Sequence, residues 1–134
     1  MIPTDWHPVH RPADGEHVGY LAPDGAPDRV VPVTLVGSAL GPAQDAVTAT
    51  ALLAGRGLAA LDRRWWCRLP VPLTDGTDAA APGDDWAWSA VVLVEASPDG
   101  CRVRLEYAEP AELRAQALLP VPVGDLLREH PPQS

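Results

Sequence analysis

A chain of 134 residues and 14.2 kDa is the size of one domain, with enough material for a core that needs no metal or disulfide. At 46% apolar and 21% charged residues it is not an intrinsically disordered chain. A net charge of -8 repels nucleic-acid phosphates and anionic membranes. No apolar stretch reaches the ~20 residues of a membrane helix, and the N-terminus lacks the basic-then-apolar order of a signal peptide. The expectation is a soluble, acidic, cytoplasmic domain that binds neither nucleic acid nor membrane.

Residues 1–16 carry three prolines and read as an extended lead-in. HVGYLA (17–22) and RVVPVTLVG (29–37) flank the turn-rich PDGAPD and predict a hairpin. Pro32 offers no amide donor, which puts its strand at an edge or breaks it there, with Val31, Val33 and Leu35 facing inward. One principal helix follows over about 42–55, opened by Pro42 and filled by AQDAVTATALLA. Its expected apolar stripe is Ala43, Val47, Ala51 and Ala54 or Leu58. RRWWCRLPVPL reads as a strand, and TDGTDAAAPGDD (74–85) as a mobile acidic loop.

WAWSAVVLVEA and CRVRLEY then flank Ser97-Pro98-Asp99-Gly100, which predicts a tight hairpin. The expected register sets Ala96 opposite Cys101, Val94 opposite Val103, Val92 opposite Leu105 and Ala90 opposite Tyr107 on the apolar face. Glu95 lies across from Arg102 on the other. Trp86 and Trp88 share parity with Val92 and Val94, so they too are expected in the core. In the tail, Pro110 opens a helical turn, LLPVPV gives a last strand, and 123–130 a final helical turn. LPVPL (69–73) and LPVPV (119–123) echo each other without making a repeat. Residues 1–130 thus read as a single α+β domain, with 131–134 a tail. It holds a mainly antiparallel sheet of about five or six strands, with a curved or partly closed barrel as the variant.

What is missing narrows the chemistry. The chain has no Lys, Asn or Phe, and all ten basic residues are Arg. The absent residues have A/T-rich codons, a bias that points to a bacterial genome of high G+C content. Lysine-based Schiff-base and phosphate-loop chemistry is excluded outright. Cys67 and Cys101 form no CxxC and read as small buried apolar side chains, with a disulfide as the minor alternative. His7 and His10 stand three apart, but on an extended chain their rings point to opposite sides, which argues against a metal site. Gly37 to Pro42 sits at an expected strand-to-helix junction, yet lacks any phosphate-loop or nucleophile-elbow pattern. Asp75, Asp78, Asp84 and Asp85 fit no EF-hand spacing and read as solvated charge. Glu106, Glu109 and Glu112 flank Pro110, but spacing alone assigns them no acid–base role.

Five tryptophans in a chain without Phe are the oddest feature. Adjacent strand residues face opposite ways, so Trp65 and Trp66 cannot enter the same core. Trp65 shares parity with Cys67, Leu69 and Val71, the buried set. Trp66 shares parity with Arg68 on the outer face, a pairing suited to an interface anchor. The leading expectation is therefore a non-catalytic domain without cofactor. It binds another protein, or a second copy of itself, through Trp66 and Arg68, and its acidity suits a basic partner. The alternative is a small-molecule binder or small enzyme with a Trp-lined pocket closed by the 74–85 loop. A purely structural, oligomer-forming role comes third.

Overall fold

The computed structural model describes residues 1–131 and shows an α+β domain with one helix and nine strands in two sheets. The smaller sheet holds β1 (His7–His10), β2 (His17–Pro23) and β3 (Val30–Val33), antiparallel and in that order. The lead-in is therefore more than irregular chain, because its middle pairs with β2. As the proline at position 32 requires, β3 is an edge strand.

A bulge sets the faces of β2. Val9 opposes Gly19 while His10 opposes His17, which leaves Val18 as the extra residue. Val18 therefore joins Leu21 and Val9 on the side where Ala49 and Leu53 pack. Tyr20, Ala22 and Val33 meet half-buried Ile2, Trp6 and Val31 on the other side. Gly19 has φ +152°, and a Cβ there would strike the Val33 carbonyl and lie 2.8 Å from Leu53 Cδ2. Only glycine fits this crossing of sheet and helix.

The helix, α1, spans Ala46–Arg56 and covers the smaller sheet. It begins later than the sequence predicts. The Gln44 backbone exchanges two hydrogen bonds with Val30, each 2.8 Å, which holds the preceding chain out of the helix. Asp45 is the cap, accepting bonds from the Thr48 amide at 2.9 Å and the Thr48 hydroxyl at 2.7 Å. The buried stripe is Ala49, Leu53 and then Gly57, not Ala43, Val47 and Ala51; Val47 is 81% exposed. A helix built largely of alanine has an ambiguous apolar phase, and the sheet beneath chose the other one.

The larger sheet holds β4 (Trp65–Leu69), β5 (Thr77–Asp78), β6 (Ala87–Ser97), β7 (Gly100–Leu105), β8 (Gln116–Leu119) and β9 (Leu127–Arg128). Its order is β5-β8-β7-β6-β4-β9, antiparallel except for β5 beside β8, and it curls into a half-barrel. The inner face carries the main core, with Trp65, Cys67, Leu69, Val91, Val103 and Ala117 all but completely buried. β4 alternates buried and half-buried residues as expected up to Leu69. Val71 departs from that parity at 76% exposed, because the strand has ended.

The β6–β7 hairpin keeps the expected register at its tip and loses it below. Ser97 opposes Gly100, Ala96 opposes Cys101 and Glu95 opposes Arg102. Val94 is then bulged out, so Leu93 opposes Val103 and Val91 opposes Leu105. That one extra residue exchanges the faces of the rest of β6. Val91 is buried, Val94 is 48% exposed, and Trp88 lies across from Arg68 on the outer face. Trp86, before the strand begins, does pack half-buried against the main core.

The 74–85 segment is anchored where a loop is expected. It contributes β5, its Gly76 and Ala79 amides donate to Gln116 and Leu118, and Ala79 is buried. In the tail, short 3-10 turns form at Pro110–Glu112 and Gly124–Leu126; the strand expected over LLPVPV lies at Gln116–Leu119 instead, and the end of the expected helical turn over 123–130 is the strand β9. Of the 131–134 tail, only Pro131 is among the described residues.

Candidate binding face and cleft

Because α1 packs on β1, β2 and β3, no α-helix among the described residues lies over the outer face of the larger sheet. Directly opposed residues in a ladder share a face, so the register maps what stands there. Arg128, Trp66 and Ala90 form one row across β9, β4 and β6. Arg68 and Trp88 form the next, while Val92 and Arg104, then Glu95 and Arg102, continue it along the hairpin. Four of the chain's ten arginines, Arg68, Arg102, Arg104 and Arg128, thus project from one face of an acidic protein. At its margin Arg64 donates to Glu106 at 3.0 Å and to the Tyr107 hydroxyl at 2.9 Å.

Trp66 and Arg68, singled out from the sequence, are neighbours on this face and both half-buried. Trp88, which the sequence assigns to the core, joins them, as do Arg104 and Arg128. Alternation of Arg102 and Arg104 with Cys101 and Val103 was a readable signal for the hairpin. Arg128 had none, since its strand is two residues long.

The two ends of the curled sheet, β5 and β9, approach each other without pairing. A cleft of about 300 Å³ brings together residues from both ends of the sheet. Ala79 and Pro82 follow β5; Asp125 and Leu126 precede Arg128 in β9. Arg68 and Trp88 form its wall, and Cys67 lies at its floor. The Arg128 guanidinium stands 5.1 Å from the Trp88 ring centroid, a cation–π distance. Arg68 Nη2 donates to the Gly83 carbonyl at 2.8 Å, and Arg128 Nε to the Asp125 carbonyl at 3.1 Å. Pro82 and Gly83 belong to the 74–85 segment, which therefore borders a Trp-lined cleft.

Other candidate groups serve the fold. Burial pushes the Cys67 and Cys101 thiols up to about 12, so both stay protonated at neutral pH. Glu112 is buried and accepts from the Leu73 amide at 2.6 Å, and it closes a reciprocal capping box with Glu109. Asp75 accepts from the Gln116 amide and Asp78 from the Ala80 amide. Gly37 closes a tight turn between Thr34 and Ser38, well before the helix, so its amides do not cap one. His10 stacks on His17 at 4.9 Å across β1 and β2, with Tyr20 edge-on to His17 at 4.7 Å. Burial lowers the His17 pKa, as does the charge of His10. Among the described residues, no three His, Cys, Asp or Glu side chains converge to hold a metal ion, and no helix is long and apolar enough to cross a membrane. Comparisons with protein-family models, curated proteins and solved structures find no match.

Proposed function

We propose that this protein is a non-catalytic domain that binds another protein through the outer face of its half-barrel, with Trp66 and Arg68 at the centre. One observation carries the reading: an acidic chain gathers four arginines and two tryptophans on the outer face of the larger sheet, which no α-helix among the described residues covers. Trp and Arg are the residues that dominate interface energetics, the indole through buried area and the guanidinium through bidentate pairing. The local charge also defines the partner. Although the whole chain suits a basic partner, this face suits carboxylates, and its long-range field of opposite sign slows non-productive encounters with polyanions. Protonated thiols and carboxylates engaged in capping support a binding role over a catalytic one.

Site-specific photo-cross-linking in the native host tests this. A photoreactive residue at position 66 should yield one discrete protein adduct, weakened by salt, while the same group at helix position 47 yields none. An adduct at the mass of two copies makes the partner a second copy of this chain. Equal adducts from both positions, none from position 66, or an RNA adduct would overturn the proposal.

A further inference from the structure

The seam cleft has a chemistry of its own. The geometry points to it as a binding site for a small organic carboxylate, an apolar or flat body bearing one carboxylate group. This goes beyond the partner reading and does not rest on it: Arg68 belongs to both, but Trp66 does not line the cleft, and the test below varies Arg128 and Leu126 instead.

Charge comes first. Arg68 and Arg128 both line the cleft, and among the described residues neither forms an ion pair with a carboxylate. Each guanidinium spends one N–H on a backbone carbonyl, Gly83 for Arg68 and Asp125 for Arg128. Those bonds fix the side chains and leave their remaining donors for a ligand. A donor fixed in advance loses little entropy on binding, and the planar fork matches a carboxylate bidentately.

Size and lining choose the rest of the ligand. A volume of about 300 Å³ lies at the small end of ligand pockets, too small for a partner's helix or strand. Trp88, Leu126 and Pro82 offer apolar surface beside the guanidinium groups. Asp125 also lines the cleft, and the chain carries a net charge of -8. Repulsion by these charges and attraction to the two arginines both scale with ligand charge, but the cost of stripping water from an ion grows faster, so the apolar lining favours a singly charged carboxylate over a phosphate dianion.

Indole N–H spectra of the full chain test the inference. Phenylacetate is titrated beside phenyl phosphate and phenethylamine, with the Trp88 signal assigned by Trp88→Phe. Phenylacetate should shift the Trp88 signal saturably and leave that of buried Trp65 in place. Arg128→Gln should weaken binding by about tenfold or more, the scale of one charge-assisted hydrogen bond. Arg128 sits in a short edge strand, so Leu126→Trp provides a second variant. It fills the cleft while keeping both arginines, and should abolish the shift with the melting temperature retained. Tighter binding of phenyl phosphate, equal binding of phenethylamine, or no saturable Trp88 shift at millimolar concentrations would each overturn the inference. None of these outcomes bears on cross-linking at position 66, so the two proposals fail separately.

Discussion

The two sheets obey the same alternation and use it differently. In the smaller sheet both faces are covered, by α1 on one side and by Ile2 and Trp6 on the other, so adjacent Tyr20 and Leu21 are both buried. In the larger sheet the inner face holds the buried core, while the described residues of the outer face are half-buried or exposed. Adjacent Trp65 and Trp66 therefore part company, one 1% exposed and the other half-buried beside arginine. Alternation says which residues share a face, and coverage decides whether that face is core or surface. An uncovered face can keep arginines without desolvating them, which is why binding chemistry collects there and not on the smaller sheet.

The largest effect that tests this contrast lies in β6. Val91→Asp should cost about 4 kcal/mol or more, enough to unfold a marginal domain, since it buries a charge without a partner. Val94→Asp, on the bulge, should cost under about 1 kcal/mol. Urea denaturation of the pair measures the bulge directly, and equal losses would mean that Val94 faces the core after all.

Alanine scanning of the two adjacent pairs comes next. Trp65→Ala should lose about 3–5 kcal/mol, and Trp66→Ala about 2 kcal/mol less than that. Leu21→Ala and Tyr20→Ala should each lose about 2–4 kcal/mol and match one another closely. Matching losses in the tryptophan pair would show that something covers the outer face.

The smallest effect belongs to pH. The folded-state pKa of His17 lies below its ordinary value of 6.5, with burial the main cause, the positive charge of His10 adding to it and the bond to the Gly19 carbonyl opposing it. The unfolded chain therefore binds the proton more readily. The contribution of neutral His17 is fully present above the ordinary pKa and declines as pH falls below it, levelling off once the folded-state pKa is passed. Melting temperatures of the native chain should drop between pH 7 and pH 5 more than those of His17→Gln. An identical drop in both would place the sensitivity elsewhere.

Much of the architecture is legible in the residues. The β2–β3 hairpin, the edge position forced by Pro32, the alternation through Trp65 to Leu69 and the tip of the β6–β7 hairpin all follow from local rules. Turn chemistry and strand period act over a few residues, so a single chain displays them. The failures share a cause as well. The bulges at Val18 and Val94 shift parity by one residue; Gly19 inside the HVGYLA run is a local signal for the first, which fixes neither its type nor its facing, and no local rule marks the second. The helix phase was open because alanine suits either face, and Val30 settled the helix start by pairing with Gln44.

The sequence by itself determined the class of fold, the acidic balance and the placing of Trp66 and Arg68 on the face opposite Trp65, because each depends on composition or on period along one strand. Only the tertiary structure decided what those two residues stand beside. Trp88 arrives from β6 after a bulge, Arg128 from a two-residue strand more than fifty residues downstream of β4, and the cleft from a sheet whose two ends approach without pairing. Contacts between residues so distant in the chain are set by how the whole sheet curls, a property that no window of sequence contains.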